Sequence, residues 1–246
     1  MVGLMISTVL ADRPLPDQRY VKKSQGGEFV FTMVPAKREF RDKKWVIARD
    51  AFGICYSLTV EGELVEAWRV KGWFSPEIYL SDDGKHLIRM GPWSKGHEPE
   101  ASDLAVAFYQ NGKLLKTYST ADLVRRPGTI LASVNHYEWL ARARDAERGE
   151  SNPDSKLRLE GNRVFHLKTC DLIKYQFDVT TGEIISIYDP LEEIMKDEKA
   201  RSKNQRPTID KDAKKRTGSE QAMDVNRPTA IHSQSKRTAI TRRHHI

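Results

Sequence analysis

"YLSDDGKHLIRMGPW", residues 79–93, decides how the rest of the chain is read. Apolar residues flank Asp82-Asp83-Gly84, and Trp93 closes the run. Asp-Gly between apolar runs is a strong short-range hairpin signature, because a tight turn of this kind needs positive φ at its centre. A calcium loop of the helix–loop–helix kind does not fit. Such a loop carries a bidentate Glu six residues after its Gly, and here that position is Met90. The stretch predicts two antiparallel strands joined by a turn in which Asp82 or Asp83 bonds the local backbone.

The same grammar recurs outward. Asn111-Gly112 separates "LAVAFYQ" (104–110) from "KLLKTYS" (113–119). Gly161-Asn162 separates "KLRLE" (156–160) from "RVFHLKT" (163–169), and Thr180 to Gly182 separates "IKYQFDV" (173–179) from "EIISIYD" (183–189). "GEFVFTMV" (27–34), "KWVIARD" (44–50), "GICYSLTV" (53–60) and "ELVEAWRV" (63–70) are further β-rich runs. Helix is scarce. Residues 118–126 offer Ser119 or Thr120 as N-cap with Asp122 in the first turn, stopped by Pro127-Gly128. Residues 136–150 read as helical in their second half, and residues 190–203 as a last helix with Pro190 at its first position.

The expected fold class is therefore mainly β, with antiparallel hairpins, few short helices, and either a β-propeller-like fragment or a β-sandwich as architecture. Gly62 and Gly84 lie 22 residues apart, and Gly161 and Gly182 lie 21 apart. Two hairpins per roughly 40–45 residues is the spacing of a propeller blade. "SQGGEFVFTM" and "LSDDGKHLIRM" share Ser, two residues, Gly and then a β run; "FDVTTGEIIS" has the form of another propeller hairpin. Roughly 180 foldable residues would make about four blades. The 49 residues from Gly112 to Gly161 break any strict period, which keeps the sandwich open.

Charge divides the chain. The total of 41 Lys and Arg against 34 Asp and Glu gives +7, yet residues 196–246 alone hold 14 basic and 6 acidic residues, leaving residues 1–195 near −1. That last segment has no Phe, Trp or Tyr. It cannot bury enough apolar surface to offset roughly 1–2 kcal/mol of backbone entropy per residue. It is expected to be a disordered basic tail, suited to contact with nucleic acid or an anionic surface. Residues 191–246 are read as a fraying helix followed by this tail, and residues 20–190 as one all-β domain. Residues 2–10 are mostly apolar, and Val9 and Ala11 fit the small-residue pattern before a signal-peptidase cut, so residues 1–11 read as part of a signal peptide and the protein as periplasmic or secreted. The run is too short for a membrane span of about 20 residues, and no other segment is long enough.

Cys55 and Cys170 stand 115 residues apart with no zinc-ligand spacing. Export makes a Cys55–Cys170 disulfide one reading; two separate buried thiols is the other. No nucleophile elbow, HExxH, phosphate-binding Gly loop or dinucleotide fingerprint occurs, so no catalytic residue, metal or cofactor is assigned. The densest polar-aromatic phrase is "SVNHYEW", which places His136, Tyr137, Glu138 and Trp139 in succession. "GPWSKGHEPE" (91–100) reads as a long exposed loop bearing Trp93 and His97, and such loops concentrate function. Trp73 and Trp93 could together form an aromatic platform for a sugar ring or a peptide. A His136–Glu138 pair could do acid–base work.

The order of phrases resembles a loose group of exported bacterial β-rich proteins of unknown function. The matching phrases are Ser24 to Val30, Gly72-Trp73, Leu80 to Ile88, Phe108 to Leu114, Leu123-Val124, Ser133 to Trp139 and Phe177 to Ile184. The resemblance implies export and a β-rich fold, and no particular activity. The leading expectation is a non-catalytic binding or interaction module for an envelope or extracellular ligand. The competing ones are an envelope-directed hydrolase and a binder of anionic polymer or nucleic acid through residues 196–246.

Overall fold

A computed structural model describes residues 16–142, 148–149 and 155–204. Residues 1–11, the basic tail beyond Asn204 and most of the second half of 136–150 lie outside the described residues. The chain divides into two units, Met1–Ala200 and Arg201–Ile246, and every strand lies in the first. Among the described residues, no helix is long and apolar enough to cross a membrane.

The architecture is mainly β and antiparallel. Sheet one contains β1 (Tyr20–Lys23), β2 (Phe29–Val34), β5 (Phe52–Leu58) and β6 (Leu64–Lys71), paired in that order. A separate hairpin, β3 (Lys37–Arg41) and β4 (Lys44–Arg49), is inserted between β2 and β5. Sheet two is the meander β7 (Ile78–Leu80), β8 (His86–Met90), β9 (Leu104–Gln110) and β10 (Lys113–Ser119). Sheet three is the meander β13 (Arg158–Glu160), β14 (Val164–Lys168), β15 (Lys174–Asp178) and β16 (Ile184–Tyr188). Between sheets two and three run α1 (Thr120–Leu123), a 3-10 turn at Pro127–Thr129, and the short pair β11 (Leu131–Ala132) and β12 (Tyr137–Glu138). The helix α2 (Pro190–Asn204) follows sheet three.

Burial patterns explain the layering. In β14 and β15 every second residue is buried, as in a sheet with one covered face. In β9 Ala105 through Tyr109 are all buried, as when both faces are covered. Sheet two accordingly divides its side chains between two cores. Ile78, Leu80, Leu87, Ala107 and Tyr109 pack with Phe31, Cys55 and Trp68 of sheet one. Ile88, Met90, Val106 and Phe108 pack with Phe165, Tyr175 and Phe177 of sheet three. The sheets thus stack in series, as consecutive propeller blades do, and a two-layer sandwich does not describe them. Among the described residues there are three such sheets rather than four.

The opening stretch forms the predicted turn. Gly84 N–H donates to Ser81 O at 3.0 Å, Ser81 N–H to His86 O at 3.0 Å, and His86 N–H to Ser81 Oγ at 2.9 Å. "SQGG" repeats this in sheet one: Gly27 N–H donates to Ser24 O at 3.1 Å, Ser24 N–H to Phe29 O at 2.9 Å, and Phe29 N–H to Ser24 Oγ at 3.2 Å. The shared phrase therefore marks one turn used twice, each time between the first and second strands of a sheet. The other three predicted hairpins also form, with positive φ at Asn111, Gly112, Gly161, Asn162 and Gly182. α1 begins as expected, with Ser119 and Asp122 in a reciprocal capping box.

The disulfide is a correction. Cys55 and Cys170 form no disulfide, and each is buried in a different core, Cys55 between sheets one and two and Cys170 between sheets two and three. Burial pushes the Cys55 thiol up to about 12, which leaves almost no thiolate at neutral pH. The folded protein should therefore react with a thiol-specific reagent only on the timescale of unfolding. Titration in denaturant should release both thiols. Rapid labelling of native protein, or no free thiol after denaturation, would contradict this arrangement.

Candidate binding site

The loop that joins β8 to β9 carries Trp93, and this loop is pinned to the 133–139 segment. Ser94 O accepts from Tyr137 N–H at 3.3 Å, Gly96 N–H donates to Asn135 O at 3.1 Å, and Lys95 forms a bridge with His136. The two phrases singled out in the sequence thereby become neighbours. The Trp93 indole lies on the His136 imidazole, with ring centroids 4.1 Å apart and planes 35° from parallel. His136 is buried, while Trp93 keeps 36% of its surface exposed.

Beside this stack opens a cavity of about 140 Å³, lined among others by Glu77, Trp93, Tyr137, Glu138, Trp139 and Arg142. Tyr137 is a structural bolt. Its hydroxyl donates to Asp103 Oδ2 at 2.7 Å and shares a hydrogen bond with Thr120 Oγ1 at 2.7 Å. Burial, above all, raises its phenol above the ordinary tyrosine range. Trp139 is buried in the second core, and its carbonyl accepts from Cys170 N–H at 2.8 Å. Glu77 is engaged by Arg142, whose Nη1 lies 2.8 Å from Oε2, and by the Tyr79 hydroxyl. Glu138 is half-buried at the edge of the cavity. The partly exposed Trp93 indole and the Glu138 carboxylate both line this cavity.

Two sequence candidates lie elsewhere. Trp73 packs at the junction of sheets one and two, 5.4 Å from the Tyr109 ring and under the Arg89 guanidinium at 4.4 Å. It does not share a platform with Trp93. His97 is exposed and does not line the cavity. Among the described residues, no group of three or more His, Cys, Asp or Glu side chains could hold a metal ion.

A second cavity, about 270 Å³, lies where the first strands of all three sheets meet, between Lys22, Gln25, Tyr79, Asp82, Leu159 and Asn162. No local phrase of the sequence marks it, because its residues come from strands and turns up to 140 positions apart. Asp82 is its hinge. Its Oδ1 accepts from Gly26 N–H at 2.8 Å, and its N–H donates to Asn162 Oδ1 at 2.5 Å. The first of the two turn aspartates thus ties three sheets together, while Asp83 caps its own turn by accepting from Lys85 N–H at 3.0 Å. These bonds give Asp82 a structural task.

No protein-family model matches the chain, and no curated protein matches it significantly.

Proposed function

We propose that this chain is an exported, non-catalytic binding module that holds a sugar ring of an envelope or extracellular polymer against Trp93. The observation that carries the reading is the half-exposed indole, backed by the buried His136 ring and flanked by Glu138 at an open cavity. An aromatic face held rigidly from behind binds the apolar face of a sugar at small entropic cost, and a nearby carboxylate accepts from its hydroxyls. The apolar run at residues 2–10 and the resemblance to exported β-rich proteins support the location. The same geometry weighs against His136 as a general base, since its ring serves as the floor under Trp93.

A soluble oligosaccharide array read by tryptophan fluorescence, followed by titration of any hit, tests this. Trp93→Ala should weaken binding by about 2 kcal/mol or more, the loss of a central aromatic anchor, while leaving the melting temperature nearly unchanged. His136→Ala should lower the melting temperature. An array with no hit sensitive to Trp93, or turnover of a hit that His136→Ala abolishes without loss of stability, would overturn the proposal.

A further inference from the structure

The outer face of sheet three gathers positive charge in a way that the fold does not require. The residues alternating with the core side chains of β13, β14 and β15 include Arg158, His166, Lys168, Lys174 and Gln176. The register sets Arg158 opposite His166 and His166 opposite Gln176, and it sets Lys168 directly opposite Lys174. Like charges directly opposed on an antiparallel pair destabilise a sheet. Lys156, just before β13, adds another cation, and these side chains enclose a cavity of about 210 Å³. An acidic neighbour on this face is Glu160, whose Oε2 lies 2.8 Å from His166 Nε2 and 3.3 Å from Arg158, and the Lys174 ammonium stands 5.9 Å from the Tyr188 ring. Among the described residues, no carboxylate pairs with Lys156 or Lys168.

We propose that this face is a binding site for a phosphate dianion, free or as the terminal group of a small phosphomonoester. The opposed lysines supply two point charges across the cavity, Lys156 and Arg158 close it from the first strand, and the Gln176 amide offers a neutral donor. Lysine ammonium and arginine guanidinium groups make charge-assisted hydrogen bonds to phosphate oxygens. The cavity is smaller than the roughly 300–1,000 Å³ that encloses a drug-sized ligand, so a small anion or one headgroup suits it better than a whole cofactor. A bound dianion turns the repulsion between Lys168 and Lys174 into a shared attraction. This site lies on sheet three and is independent of the Trp93 cavity.

The experiment is an amide-resolved NMR titration of the full chain with inorganic phosphate at fixed ionic strength, repeated with chloride and with glycerol 3-phosphate. Saturable shifts of the amides around 156–158, 166–168 and 174–176 are expected with phosphate and not with chloride. A tighter response to the ester would identify the phosphomonoester as the better ligand; an equal response would identify phosphate itself. The variant Lys168→Gln/Lys174→Gln should bind at least about tenfold more weakly, as expected for lost charge-assisted contacts. Its melting temperature in phosphate-free buffer should be no lower than that of the parent, because the repulsion is gone. Should this variant fail to fold, Arg158→Gln, at a more exposed position, should weaken the same response. Shifts that chloride reproduces, shifts confined to residues 196–246, no saturable response, or undiminished binding in the variants would overturn the proposal.

Discussion

Gly84→Ala is expected to cost about 3–5 kcal/mol, from a left-handed backbone without glycine and an overfilled contact. Gly84 has φ +65°, and a Cβ built there would lie 2.1 Å from Cδ1 and 2.4 Å from Cγ of Phe29. Those atoms belong to the base of the ring, so the whole side chain must move. The turn cannot easily retreat either. The Gly84 carbonyl accepts from Trp68 Nε1 at 2.7 Å, and withdrawal would orphan a buried indole N–H. Gly62→Ala is the internal control. Gly62 has φ +84° with nothing within 4 Å of the added carbon, so it should cost only the backbone strain of about 1–2 kcal/mol. Chemical denaturation of both variants separates conformation from collision. Phe29→Ala in the Gly84→Ala background should cost less than the two single losses combined. Equal losses at Gly62 and Gly84 would show that sheet one does not grip this turn.

That turn also shows how far the sequence could be read. The predicted hairpins were legible because Gly or Asn occupies the positions of positive φ in their turns. The hairpin β3–β4 was half missed for the opposite reason. Its turn is Asp42-Lys43, with φ of 50° and 63° and no glycine, so "KREFR" carried no mark of a strand partner. The short β1 was missed too, because its burial is slight and it is an edge strand held by its pairing with β2. The stacking of three sheets was present in the sequence only as a difference in pattern. "LAVAFYQ" is a continuous apolar run, whereas "RVFHLKT" alternates, and the first belongs to a sheet covered on both faces.

The site was legible to the extent that its parts are local. Trp93 stands in one phrase and His136 to Trp139 in another, and the structure joins the two phrases by backbone bonds. Trp73 looked equivalent to Trp93 as a residue type, but the link from β6 to β7 places it against the other core. The basic face of sheet three escaped notice because Lys168 and Lys174 read as solvent-facing residues of separate strands. Only the pairing of β14 with β15 makes them opposite neighbours.

Asp171→Ala is expected to be the other severe change, at about 2–4 kcal/mol, because it leaves two N–H groups without an acceptor at a partly buried site. Asp171 is 3% exposed, and its Oδ2 accepts from Arg125 N–H at 2.9 Å and Arg126 N–H at 3.0 Å. Its other oxygen accepts from the Thr169 hydroxyl. One carboxylate in the β14–β15 turn thus fixes the chain as it leaves α1. From there Arg126 pairs with Asp189, whose Oδ1 accepts from Leu191 N–H at 3.1 Å and so caps α2 ahead of Pro190. Burial pushes the Asp189 carboxyl up, but the Arg126 hydrogen bond and charge outweigh it and hold the group below the usual carboxylate range. The Asp171 network therefore lies between sheet three and the start of the last helix, and its loss should be felt at both ends. Amide hydrogen exchange should quicken at Arg125 and Arg126 and also at Leu191, while Asp171→Asn, which keeps one carbonyl acceptor, should lose less. If exchange quickens at the two arginines alone, the Arg126–Asp189 link does not couple them to the helix. If Asp171→Ala melts within about a degree of the parent, where even 1 kcal/mol moves a domain of this size by about 2–4 °C, water has replaced the carboxylate and the network contributes little to the fold.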